Sequence, residues 1–79
     1  MNIRVLFFGA TADIAGTRVL NFRRPATATA GEVLKEMVER YPALASYKLH
    51  LSINQQFATG HELIIEGDEL AIFTAVSGG

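Results

Sequence analysis

Few side chains in this sequence could carry out chemistry, and they form no familiar catalytic pattern. There is no cysteine, which excludes disulfides, cysteine-based metal sites and a thiol nucleophile. His50 and His61 are the only histidines, and neither has a helix-spaced carboxylate, so we predict no metal site and no catalytic base. Ser46, Ser52 and Ser77 lack the glycine pattern of a nucleophile elbow. We therefore do not expect the chain to be an enzyme on its own.

The last two residues of the sequence, Gly78 and Gly79, are the remaining candidate for chemistry. Because glycine has no Cβ, a segment that ends in two glycines can enter a narrow channel. A terminal carboxyl has a pKa of about 3.3–3.7, so it is an anion at neutral pH and reacts as an electrophile only after activation. Adenylation by a partner that uses ATP would make it a mixed anhydride. Since the chain has no cysteine, any sulfur that it carries would sit on this carboxyl as a thiocarboxylate.

Length and composition predict one small globular domain. The chain has 79 residues, of which 49% are hydrophobic and 19% charged, as in ordinary folded domains. Its formal net charge of −1 gives no basic excess for phosphates or anionic lipids, so we expect neither a nucleic acid nor a membrane partner. No signal peptide is evident and no segment approaches the ~20 apolar residues of a membrane span, which favours a cytoplasmic protein.

Hydrophobic periodicity predicts five strands and one main helix. The expected strands cover residues 3–8, 18–23, 49–54, 63–65 and 69–74, and residues 9–16 are expected to be a loop. A capping box at Thr29 and Glu32 starts the helix, and Pro42 ends it. The apolar stripe of this helix is interpreted as core, and residues 42–47 as a connector with one short helical turn. Asp68 and Glu69 are expected to form a solvated turn.

The two most apolar strands, at residues 3–8 and 69–74, are expected to lie side by side at the centre of the sheet. They would then be parallel, and the helix would cross one face. This is an α+β, ubiquitin-like β-grasp arrangement with a mixed four- to five-stranded sheet. We assign residues 1–75 to this domain and residues 76–79 to a flexible C-terminal tail.

Four short runs together resemble the small subunit family of molybdopterin synthase. These are VLFF at residues 5–8, SINQ at 52–55, GDELA at 67–71 and VSGG at 76–79. The resemblance implies a sulfur carrier whose Gly79 is adenylated by an E1-like activating enzyme and converted to a thiocarboxylate. It further implies that Val76, Ser77 and Gly78 lie in the channel of the large synthase subunit, where sulfur passes to cyclic pyranopterin monophosphate.

The resemblance also implies how the chain assembles. No cofactor would be bound permanently, because ATP is used by the activating partner, and two small and two large subunits would form a heterotetramer. Phe8, Phe57 and Phe73 match positions that the family uses for an apolar docking patch. Strand alternation independently places Phe8 and Phe73 on the sheet side away from the helix. The alternative for these rings is that long loops fold over them.

The sequence departs from the family pattern at two places, and three other functions are also compatible with it. Residues 12–13 are Ala-Asp where the family often has Arg-Glu, which removes an expected charged contact, and residues 74–75 are Thr-Ala where it often has Pro-Pro. The other functions are a sulfur carrier for thiamine or another pathway, a ubiquitin-like modifier that forms isopeptides, and a β-grasp interaction module with an inert tail.

Overall fold

A computed structural model describes residues 1–75 of the chain, so residues 76–79 lie outside the described part. Its seven strands and two helices follow one another in the order β1 (Asn2–Phe7), α1 (Ala10–Ala15), β2 (Val19–Arg23), β3 (Ala28–Thr29), α2 (Ala30–Arg40), β4 (Leu49–Ile53), β5 (Gln56–Ala58), β6 (Leu63–Ile64) and β7 (Glu69–Thr74). A short 3-10 helix at Pro42–Ser46 connects α2 to β4, which is the helical turn expected there.

The main sheet has five strands in the order β2-β1-β7-β4-β5. Strands β1 and β7 pair in parallel at its centre, with Val5 opposite Leu70 and Phe7 opposite Ile72. Their neighbours pair antiparallel, and β3 and β6 form a separate two-stranded sheet. The parallel central pair and the helix between its strands confirm the predicted ubiquitin-like β-grasp fold.

Helix α2 begins at the predicted capping box. The Thr29 hydroxyl accepts from the backbone N–H of Glu32, and the Glu32 carboxylate accepts from the backbone N–H of Thr29. Val33 and Met37 are fully buried against the sheet, so the apolar stripe is core, as predicted. Phe7 meets the ring of Tyr41 edge to face at 5.7 Å between centroids.

Three elements of the fold were not predicted. The segment between β1 and β2 contains α1 rather than only a loop; Gly16 closes this helix in the left-handed conformation at φ 74°, with its N–H bonded to the Ala12 carbonyl. Strands β3 and β5, of two and three residues, were also missed. A six-residue helix and such short strands leave too few residues for a hydrophobic period. Within residues 1–75, no helix is long and apolar enough to cross a membrane.

Candidate functional site

The five-stranded sheet has one face packed on α2 and one face that no helix of residues 1–75 covers, which we call the open face. Along β1, the side chains of Ile3, Val5 and Phe7 are buried in the core. Strand alternation therefore turns Leu6 and Phe8 to the open face. This confirms the side that the sequence predicted for Phe8.

The strand register arranges the open face in two transverse rows. In the first row, Leu6 lies opposite Ala71, Ala71 opposite Ser52, and Ser52 opposite Phe57. The second row contains Phe73, which lies opposite His50. Because the middle of the first row has two small side chains, the surface is concave there.

A groove of about 520 Å³ occupies this concavity. Its lining residues come from β1, β4 and β7 and the turns beside them, and include Leu6, Phe8, Gly9, Ser52, Gln55, Glu69, Ala71, Phe73 and Thr74. Phe8 and Phe73 thus line one groove, and Thr74, the last residue of β7, lines it as well. The groove therefore reaches the point where the chain leaves the sheet toward residues 76–79.

The three phenylalanines that the sequence singled out all lie on this face. Phe8 is 54% exposed and Phe57 85% exposed, so no loop within residues 1–75 folds over either ring. Phe73 links them, since it lines the groove with Phe8 and its ring centre is 6.0 Å from that of Phe57. His50, which the sequence did not indicate, stacks on Phe73 with 5.8 Å between the ring centres and 26° between the ring planes.

The main chain at Phe8 is tied to β7 by a buried hydroxyl. Thr11, in α1, is fully buried; its Oγ1 accepts from the N–H of Phe8 at 2.9 Å and lies 2.8 Å from the carbonyl oxygen of Ile72, to which it donates. This contact joins the residue before Phe73 to the strand end that carries Phe8. Thr11 therefore fixes the two aromatic walls of the groove relative to each other.

Charged residues mark the opposite end of the groove. Arg4 and Glu69 are opposite each other on β1 and β7, and their side chains pair at 2.6 Å between Arg4 Nη1 and Glu69 Oε2. The pair is substantially exposed to water, which makes its contribution to stability small. Its value to the site is that it gives an otherwise apolar surface a polar border.

The prediction of a solvated turn was wrong for Asp68, which is only 8% exposed. Its carboxylate accepts from Asn54 Nδ2 at 3.0 Å and from the N–H of Ile65 at 2.8 Å. Asn54 in turn accepts from the N–H of Glu69, so the turn before β7 is joined to the β4–β5 turn. The carboxylate of Asp68 is needed there because the backbone N–H of Ile65 and the side-chain amide of Asn54 would otherwise lack an acceptor.

The second histidine, His61, lies in an exposed loop away from the groove. Beside it, the carboxylate of Glu62 accepts from the backbone N–H groups of Thr59 and Gly60. These hydrogen bonds lower the pKa of Glu62 to about 2. In residues 1–75 we find no cluster of three or more His, Cys, Asp or Glu side chains suited to a metal ion.

The predicted tail residues Val76, Ser77, Gly78 and Gly79 lie outside the described residues, so their placement stays a prediction. The sequence did not indicate three residues that contribute to the site. They are Thr11, His50 and Ala71, whose small side chain lies in the middle of the groove. A signal existed for His50, because His50 and Ser52 are the polar residues of an alternating strand and therefore share its outer face.

Comparison with known proteins shows which family this chain resembles. The profile of the ThiS family matches residues 5–79. The Arabidopsis thaliana protein "Molybdopterin synthase sulfur carrier subunit" is 30% identical over 81 residues, covering 100% of this chain and 84% of that protein. Small archaeal modifier protein 1 of Haloferax volcanii is 34% identical over 82 residues, covering 91% and 94% of the two chains.

Solved structures agree with the fold. The crystal structure of SAMP1 from Haloferax volcanii superimposes with a TM-score of 0.85 at 30% identity and covers 100% of both chains. The name of the Arabidopsis thaliana relative confirms the resemblance to the small subunit of molybdopterin synthase that the four sequence runs indicated. A β-grasp sheet with an uncovered apolar face, together with a match over nearly the whole sequence, leads to one conclusion: the chain belongs to the ThiS family.

Proposed function

We propose that the chain is the sulfur carrier subunit of a molybdopterin synthase, and that its open face docks on the large subunit while Gly79 delivers sulfur. The observation that carries the proposal is the uncovered apolar groove between Phe8 and Phe73, which extends to Thr74 at the end of β7. Exposed aromatic patches of this kind mark protein interfaces. A partner that covers the groove would also receive the residues that follow β7.

The chemistry proposed for Gly79 balances in three steps. Its carboxylate oxygen attacks the α-phosphorus of ATP in an E1-like enzyme, and pyrophosphate leaves. A sulfur nucleophile at the oxidation level of sulfide then displaces AMP and leaves a thiocarboxylate. In the large subunit this sulfur would displace an oxygen leaving group from a carbon of cyclic pyranopterin monophosphate and form a thioester. Water would then cleave the thioester at its carbonyl carbon, which returns the Gly79 carboxylate and leaves a thiol on the pterin.

The partners would provide the catalytic groups for these steps. The two carboxylates with lowered pKa values, Glu32 and Glu62, accept hydrogen bonds from nearby backbone N–H groups, and neither lines the groove. Their pKa shifts are therefore explained by structural hydrogen bonds and not by a role as general acid or base. We therefore propose that this chain binds and presents its tail, that no cofactor stays bound to it, and that ATP is consumed by the activating enzyme.

A second candidate function is supported by the 34% identity to a protein named as an archaeal modifier. The activation of Gly79 would be the same, but a lysine amine would displace AMP and form an isopeptide bond. Both functions use an adenylated C-terminus. They differ in the nucleophile that displaces AMP and in the partner that binds the open face. A sulfur carrier for another pathway differs only in its acceptor.

The test combines a tail deletion with a groove variant in a reconstituted synthase. Deleting Gly79 should leave binding to the large subunit within about threefold and abolish conversion of the precursor. Phe73→Ala should weaken binding about thirtyfold, the effect of losing about 2 kcal/mol at a central interface residue. Leu63→Ala is the matched control, because Leu63 is 68% exposed but belongs to the small β3–β6 sheet.

Three results would count against the proposal. If the chain without Gly79 still supports conversion, the tail is not the sulfur donor. If Phe73→Ala and Leu63→Ala bind equally well, the open face is not the docking face. If intact chain binds the large subunit but never supports conversion even after activation, an interaction module explains the protein better.

A further inference from the structure

The turn between β4 and β5 has an unusual backbone for its residue types. Ile53 and Gln56 face each other across the two strands, so Asn54 and Gln55 form a two-residue turn. Their φ angles are 49° and 72°, and no other non-glycine residue among residues 1–75 has a positive φ. Two-residue turns with two positive φ angles favour Asn followed by Gly, because glycine has no Cβ that opposes the left-handed region. Gln55 therefore stands where glycine is the expected residue.

The fold explains why Asn54 is in this turn, but it does not explain Gln55. The Asn54 side chain donates to the Asp68 carboxylate and accepts from the N–H of Glu69, both at 3.0 Å. The Gln55 side chain is exposed and makes no hydrogen bond to any side chain or backbone group of residues 1–75. A left-handed conformation costs such a residue free energy, which the rest of the fold must supply. Strain of this kind is concentrated at functional sites.

Gln55 lines the groove of the open face at the end away from Thr74. The N–H of Asn54 donates to the Glu69 carbonyl at 2.9 Å, which places the turn beside the start of β7, whereas Thr74 ends that strand. The Glu69 carboxylate at this end is already paired with Arg4. The side-chain amide of Gln55 is uncharged and offers both a donor and an acceptor, as a backbone peptide group does. It therefore supplies an unpaired polar group at the border of an apolar surface.

We propose that Gln55 determines how the partner is positioned: its side-chain amide hydrogen-bonds to a backbone peptide group of the large subunit, and the chain gives up stability to hold it there. This inference rests on the proposed function, because it requires the open face to dock on the large subunit. Apolar contacts in the groove have no directional preference, whereas a hydrogen bond does. The amide therefore fixes where the partner sits along the groove, and with it where the residues after Thr74 enter the partner.

The first part of the test measures stability by thermal unfolding. Gln55→Gly releases the backbone strain, which outweighs the added freedom of the unfolded chain, so Tm should rise by about 3–6 °C. Gln55→Ala keeps a Cβ and therefore the strain, so its Tm should stay within about 2 °C of the natural chain. A Gln55→Gly protein that is no more stable than the natural chain would overturn the claim that stability is given up at this position.

The second part measures Kd for the large subunit by calorimetry. Gln55→Gly and Gln55→Ala both lack the amide, so both should bind about fivefold more weakly, the effect of one neutral hydrogen bond. Because these two variants differ in stability, an equal loss of binding would be due to the amide and not to a loosened turn. Gln56→Ala is the matched control: Gln56 is the same residue type and also exposed, but it does not line the groove, so binding should stay within about twofold. Gln55→Glu should weaken binding by about fivefold or more, because it lacks the amide donor and adds a negative charge near Glu69.

The outcomes separate this inference from the function on which it rests. If the natural chain does not bind the large subunit, or if Phe73→Ala binds as tightly as Leu63→Ala, the proposed function fails. If Phe73→Ala weakens binding but Gln55→Ala binds as tightly as Gln56→Ala, the role of Gln55 is refuted while the function stands. Tighter binding by Gln55→Glu would also refute it, because the partner would then offer a positive charge and not a peptide group.

Discussion

Replacing Thr11 by valine should cost the domain more stability than its single missing oxygen suggests. Valine has nearly the same shape, so the change removes the hydroxyl and leaves no cavity. The Phe8 N–H then loses its 2.9 Å acceptor and the Ile72 carbonyl loses its 2.8 Å donor. Because Thr11 is fully buried, water cannot replace these contacts in an unchanged fold.

The cost of a buried polar group left without a partner is about 1–3 kcal/mol. We therefore expect Thr11→Val to lower the free energy of unfolding by about 2–3 kcal/mol. For a domain of this size a loss of 1 kcal/mol lowers Tm by about 4–8 °C, so the midpoint should fall by roughly 8–24 °C. Binding to the partner should weaken as well, since Thr11 holds the strand ends that carry Phe8 and Phe73.

Urea unfolding followed by circular dichroism, with unchanged m value, measures this cost. Thr17→Val is the matched control: its hydroxyl also contacts backbone, donating to the Val19 carbonyl, but the contact is exposed and its loss should cost less than about 0.5 kcal/mol. Thr11→Ser keeps the hydroxyl and should retain most of the stability. A Thr11→Val protein as stable as the Thr17→Val protein would refute the role assigned to the buried hydroxyl.

Three further outcomes are expected. The pKa of Glu62 lies below its ordinary 4.5, at about 2, so the ionised carboxylate stabilises the fold above pH ~5 and this contribution disappears as the pH falls toward 2. Glu62→Gln should therefore make the free energy of unfolding depend less on pH between about 5 and 2. An unchanged acid-unfolding curve would contradict the lowered pKa of Glu62. Gly67 adopts a φ of 85° with open space around it, so Gly67→Ala should lower the free energy of unfolding by about 1–2 kcal/mol through backbone strain alone, and equal urea midpoints would argue against that strain. Arg4→Ala should change stability by less than about 1 kcal/mol because its pair with Glu69 is exposed to water, and a larger loss would mean that the pair is structural.

The fold could be predicted because its central elements carry strong local signals. The apolar runs of β1 and β7 and the capping box of α2 each follow from residue types at fixed spacing, and their order leaves one arrangement with a parallel central pair. Helix α1 could not be predicted, because six residues between two glycines show turn composition and no helical period. Its helical state is stabilised by Thr11, whose partner Ile72 is distant in sequence.

The site could be predicted only in part, for the same reason. Alternation along single strands places Phe8 and Phe73 on the outer face, and the structure agrees. Which residues face each other across strands depends on register, and register brings His50 beside Phe73 and Ser52 beside Ala71. A Gly-Asp-Glu turn has surface composition, which predicts that Asp68 is solvated. Its burial depends on two donors that the sequence does not reveal, the backbone N–H of Ile65 and the side-chain amide of Asn54.

The most direct test of the proposed function is the intact mass of the untagged chain after incubation with the E1-like enzyme of the same organism, ATP and a sulfide-level donor. The proposal predicts a mass increase equal to the replacement of one oxygen by one sulfur, located at Gly79 by fragmentation and absent when ATP is omitted. An unchanged mass, with the same enzyme shown to activate another carrier, would contradict the claim that this chain carries sulfur on its terminal glycine.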